Sequence, residues 1–154
     1  MARLSSFDGA SSFTLELLEW QVPPAQQRHH WDEWILCRVT LQSPEGVYAG
    51  TEPCLLSDEV PLLMEGCFRV ASGQSLQEDL AFREPNLRLS FREDEVIRDM
   101  FRVHVHFHAF PLRQDGDGPT DITFLTDRRL IEEFLKGLRA AVRRFPVRFP
   151  PGRD

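Results

Sequence analysis

The chain has 154 residues, a net charge of −6, 42% hydrophobic and 27% charged residues, and three cysteines. At this size one domain buries about 70% of the surface its unfolded chain exposes, so a core forms without disulfides or metal. The odd, sparse cysteine set excludes a disulfide framework, and the acidic balance disfavours nucleic acid and favours a basic protein partner.

The segment from Met1 to Ser12 has no apolar centre of a signal peptide, and no apolar run reaches spanning length. The expectation is a cytoplasmic chain with reduced, buried thiols at Cys37, Cys54 and Cys67. Residues 1–154 read as one domain, with 1–12 and 149–154 as flexible ends. Twelve Phe and three Trp against one Tyr supply apolar rings for a core. The charge is uneven. Residues 127–154 hold eight basic and four acidic residues, a balance of +4, which leaves −10 on residues 1–126.

Phe13, Leu15 and Leu17 alternate with Thr14 and Glu16, the pattern of a half-buried strand. Pro23-Pro24 breaks it, and 26–32 reads as a polar loop. Ile35, Cys37, Val39 and Leu41 share a strand face opposite Arg38, Thr40 and Gln42. Pro44-Glu45-Gly46 then turns the chain, so 47–56 returns as a hairpin partner. The period changes next. Val60, Leu63, Met64, Cys67, Phe68 and Ala71 form one helical stripe, with Asp58 as N-cap, Pro61 at the third helical position and Gly73 as the stop.

Alternation resumes at Leu80 and Phe82, and again at Leu87, Leu89 and Phe91. Glu93 to Glu95 is an acidic turn. Residues 96–110 carry the longest strand pattern, with Phe101, Val103, Val105, Phe107 and Ala109 on one face. Asp115-Gly116-Asp117-Gly118-Pro119 is a hairpin loop, and 122–126 is a short strand. An amphipathic helix follows over about 128–144, capped by Thr126 or Asp127 and stopped by Pro146. The fold class is α+β: a mainly antiparallel sheet of about six to seven strands, with two amphipathic helices packed on one face.

Two patterns carry candidate chemistry. His104, His106 and His108 alternate on one strand face, as zinc ligands on β scaffolds do. Their alternative is a solvated strand surface. In Trp31-Asp32-Glu33-Trp34 two indoles flank two acids at a loop-to-strand junction. Trp is enriched at interface hot spots and acids beside it suit a basic partner; the alternative is that Trp34 anchors the strand start and Trp31 closes the core edge. The acidic turn Glu93, Asp94 and Glu95 is a supporting element of that surface. No nucleophile elbow and no phosphate loop occurs, so no catalytic residue is assigned and no cofactor is expected. The Asp115 loop lacks the Gly and Glu a calcium loop needs at Thr120 and Thr126. The basic residues of the last helix are interleaved with Glu132 and Glu133 and lack a stacking platform.

Several segments in order resemble a known family. They are Asp32-x-Trp34-Ile35, Gly50, Cys54-Leu55-Leu56-Ser57-Asp58-Glu59, Phe82-x-Glu84-Pro85-x-Leu87, Ile131-x-x-Phe134-x-x-x-Leu138 and Phe145-Pro146-x-Arg148. Over about residues 20–148 the chain resembles the WapI-family immunity proteins, small bacterial cytoplasmic proteins of polymorphic, contact-dependent toxin systems. The resemblance implies a non-catalytic protein, monomer or homodimer, that docks on a toxin domain, often a nuclease, and blocks it. The histidine strand leaves a zinc-binding or zinc-dependent domain as the other reading.

Overall fold

A computed structural model describes residues 1–152. Alternating segments form nine strands: β1 (Ala2–Ser5), β2 (Ser12–Trp20), β3 (Trp34–Ser43), β4 (Gly46–Leu56), β5 (Gln77–Ala81), β6 (Leu87–Glu93), β7 (Met100–Phe107), β8 (Gln114–Asp115) and β9 (Asp121–Asp127). The two stripes form helices α1 (Glu59–Ala71) and α2 (Arg128–Val142). The α+β class and the antiparallel pairing are as expected. The strands divide, however, between a five-stranded sheet ordered β1-β2-β3-β4-β8 and a four-stranded sheet ordered β5-β6-β7-β9.

Both sheets turn their apolar face to one core. Phe13, Leu15, Ile35, Cys37, Val39 and Leu41 come from the first, and Leu89, Phe91, Phe101, Val103, Val105 and Phe107 from the second. The helices pack against each other and complete the cluster with Leu63, Cys67, Phe134, Leu135 and Leu138. Phe13 and Phe134 meet with ring centroids 5.6 Å apart. At one margin the sheets are stitched together. Phe7 N donates to Leu125 O at 2.8 Å, and Thr126 Oγ1 donates to Ser5 O at 2.8 Å.

Three expectations change. The N-terminal segment is not frayed: Ala2–Ser5 pairs with Leu15–Ser12, and Ala2 and Leu4 are buried. Gly137 of α2 makes this possible, because a Cβ there would sit 2.8 Å from the Ala2 Cα. The segment 96–110 is not the longest strand. Asp99 adopts a φ of 62°, so β7 starts only at Met100 and runs 8 residues against 11 in β4. The 115–119 loop does not close a hairpin within one sheet. It follows β8, which pairs with Ala49 and Gly50 of β4, and then leads into β9 of the other sheet.

Asp58 stands at the N-cap of α1 but makes no capping bond. Its carboxylate pairs instead with His30, Oδ1 to Nε2 at 2.8 Å. Asp127 does cap α2, accepting from Leu130 N at 2.8 Å. Among the described residues, no helix is long and apolar enough to cross a membrane. The expected flexible tail from 149 lies partly outside them, since residues 153–154 are not described. Phe149 itself is tied to Glu33.

Candidate partner-docking site

The run Trp31-Asp32-Glu33-Trp34 splits by function. His30–Asp32 is a single 3-10 turn. Asp32 closes it: Oδ2 accepts from Arg28 N at 2.8 Å and His29 N at 3.3 Å. The Arg28 bond foremost, with help from that of His29, holds this carboxyl below its ordinary range. Glu33 is 0% exposed. Its carboxylate accepts from Ser57 Oγ at 2.8 Å, Arg148 N at 2.6 Å and Phe149 N at 3.2 Å. It pins the C-terminal tail across the loop. The expectation that Asp32 and Glu33 offer charge to a partner is therefore corrected: one closes its own turn and the other is buried.

Of the two indoles, Trp31 is exposed and Trp34 is partly buried. Trp31 is 49% exposed, with the Arg83 guanidinium over its ring at 4.7 Å from the centroid and the His30 ring 5.4 Å away. Stacking of this kind holds a ring in place without burying it. Arg83 is fixed from below, because its backbone N donates to Glu59 Oε1 at 2.8 Å. The other Glu59 oxygen accepts from Leu56 N at 2.9 Å. Burial raises the Glu59 pKa, against the pull of these two bonds.

Trp34 lines a cleft of about 730 Å³ formed by β4, residues 84–86 and residues 108–113. The 108–113 segment is a flap that exposes Phe110 (69%) and Leu112 (101%). It is seated by Ala109 N donating to Tyr48 Oη at 3.0 Å and Phe110 N donating to the buried Glu52 Oε1 at 2.7 Å. Gly50 permits this seat, since a Cβ there would lie 2.4 Å from the Ala109 Cβ.

The acidic turn is not part of this end of the molecule. Glu93 ends β6, whose first residue, Leu87, adjoins the cleft; seven residues of strand separate the two ends by about 20 Å. Asp94 is engaged locally. Oδ2 accepts from Ile97 N and Val96 N, Oδ1 accepts from Arg102, and the two backbone bonds lead in holding its carboxyl low. Glu95 is exposed.

The three histidines do not meet at one point either. His104 and His106 lie on the outer face of the second sheet and share Asp121, at 2.9 and 3.0 Å from its two oxygens. Desolvation opposes ionisation of Asp121, but the imidazoles of His106 and His104 outweigh it and hold this carboxyl low. His108 lies beyond the end of β7, where it lines the Trp34 cleft. The described residues contain no group of three or more His, Cys, Asp or Glu that could hold a metal ion. The three thiols are buried. A hydrogen bond with Cys37, then burial, pushes Cys54 well up, and burial pushes Cys67 up to about 12, so neither is a nucleophile at neutral pH.

Arg83, Phe110 and Leu112 escaped the sequence reading. For the last two the available signal was Pro111, which opens a short 3-10 turn (Pro111–Arg113) four residues past the end of β7.

No curated protein and no solved structure matches the chain significantly. The model of the Immunity protein WapI-like family matches over residues 3–146. With nearly the whole chain covered, this protein belongs to the WapI-like family of immunity proteins.

Proposed function

We infer from family membership a role in toxin immunity through binding of a cognate toxin protein. We propose that this chain neutralises its toxin without catalysis, by direct contact through the end of the molecule that presents Trp31, Trp34, Phe110 and Leu112. The observation that carries the reading is Trp31, a large ring half exposed yet held by Arg83 above it and by a loop anchored on the buried Glu33 and the partly buried Asp58. A pre-ordered indole loses little entropy on binding and buries much area, which is how hot spots act. The flap adds two exposed apolar side chains beside the same cleft.

A net charge of −6 suits a basic toxin surface, such as that of a nuclease, through steering of the encounter. The test is neutralisation of the purified cognate toxin domain at increasing ratios of this protein. Stoichiometric loss of toxin activity, weakened by Trp31→Ala in a protein that still folds, supports the reading. Full toxin activity in excess protein ends it.

A further inference from the structure

Resting on that docking reading and deepening it, we propose that the cleft beside Trp34 receives an arginine side chain of the partner. Its lining includes two aromatic side chains, Trp34 and, on the flap, Phe110. Two carboxylates serve the same space. Glu52 is a nearly buried side chain, 4% exposed, and Glu84 is exposed, with no ion pair among the described residues. Asn86 also lines the cleft, and its Oδ1 is buried without a hydrogen-bond partner, alone in this among the described side chains. That acceptor is an unsatisfied polar atom in the wall of the cleft. A guanidinium offers what the cleft asks for: a planar cation that stacks on rings and carries five N–H donors.

The molecule already contains a partial version of this contact. Arg113 Nη1 donates to Glu52 Oε2 at 3.2 Å, with its guanidinium 5.9 Å from the Phe110 ring centroid and its side chain 54% exposed. Elsewhere in the chain, Arg69 grips Glu78 with two donors on two oxygens, at 2.6 and 3.2 Å, and is only 35% exposed. Arg113 engages Glu52 through a single donor. It is a loose occupant at the rim that a partner arginine displaces.

The test uses the full chain, labelled with nitrogen-15 and titrated with N-acetylarginine amide. N-acetylcitrulline amide, of the same shape but neutral, is the control. The arginine probe shifts the Trp34 indole N–H and the Ala109 amide saturably, and the citrulline probe binds about fivefold more weakly, the loss expected for a partly exposed charge pair. Glu84→Gln weakens the arginine probe about threefold, and Arg113→Gln tightens it about threefold, in proteins whose spectra show an intact fold. Equal response to both probes, shifts confined to other surfaces, or weaker binding in Arg113→Gln overturns the proposal. If the probe fails while Trp31→Ala still impairs neutralisation, the arginine slot is wrong and the docking reading stands. If Trp31→Ala neutralises its toxin normally, the docking reading falls and this proposal falls with it.

Discussion

The Trp31 end and the outer face of the second sheet both display residues that carry chemistry, yet they are built differently. On the sheet face, His104, His106 and Asp121 stand where strand alternation puts them, all facing water. Nothing beneath the surface is spent on holding them. At the Trp31 end, buried or nearly buried groups fix irregular backbone: Glu33 holds the tail and Ser57, Asp58 holds His30, Glu59 holds Leu56 and Arg83, and Glu52 holds the flap. Burying a carboxylate is costly unless its oxygens are satisfied. Three buried carboxylates, Glu33, Glu52 and Glu59, with the partly buried Asp58 beside them, mark a surface whose shape matters. Histidine spacing on a regular strand marks only the strand.

Breaking the anchors gives the largest effect. Glu33→Ala removes the acceptor of the buried Ser57 hydroxyl and of two partly buried backbone donors and costs about 3 kcal/mol, read by urea unfolding, while Glu33→Gln retains an acceptor oxygen and costs about 1 kcal/mol. Unchanged stability in Glu33→Ala would remove the distinction between the two regions. Trp31→Ala comes next, with the effect on binding and not on folding. Toxin affinity falls by about 2 kcal/mol, roughly thirtyfold, while the loss of an exposed ring changes stability by less than about 1 kcal/mol.

The carboxyls sharpen the contrast through pH. Glu59 has a raised pKa in the fold, so the stability it contributes is full below its unfolded pKa and fades as pH rises through the folded one. Asp121 has a lowered pKa, so its contribution is present above the unfolded pKa and is lost as pH falls through the folded one. Glu59→Gln and Asp121→Asn flatten the stability profile in opposite directions, measured by thermal unfolding across the carboxylate range. The smallest effect is on the sheet face. His104→Ala with His106→Ala changes stability by less than about 0.5 kcal/mol, and zinc leaves the melting temperature of the parent protein unmoved. A zinc-dependent rise that these substitutions abolish would restore the metal reading.

The strands of the interior were legible because burial of one face imposes a two-residue period, as in Ile35, Cys37, Val39 and Leu41, or Phe101, Val103, Val105 and Phe107. Alternation tells which residues share a face, not which strands pair, so the division into two sheets was not readable. Ala2–Ser5 is too short to show a period, and its burial depends on Gly137, 135 positions away from Ala2. The site was half legible. Tryptophans at 31 and 34 stood out by residue type. The inward turn of Glu33 did not, because its partners Ser57, Arg148 and Phe149 come from two distant segments. Arg83 is likewise tied to Trp31 only through tertiary structure.

Hydroxyl-radical footprinting of the protein, free and saturated with its toxin domain, tests the docking surface most directly. Protection of Trp31, Trp34, Phe110 and Leu112, with His104 and His106 modified as in the free protein, is the expected pattern. Protection of the two histidines, with the indoles and the flap still reactive, would contradict it.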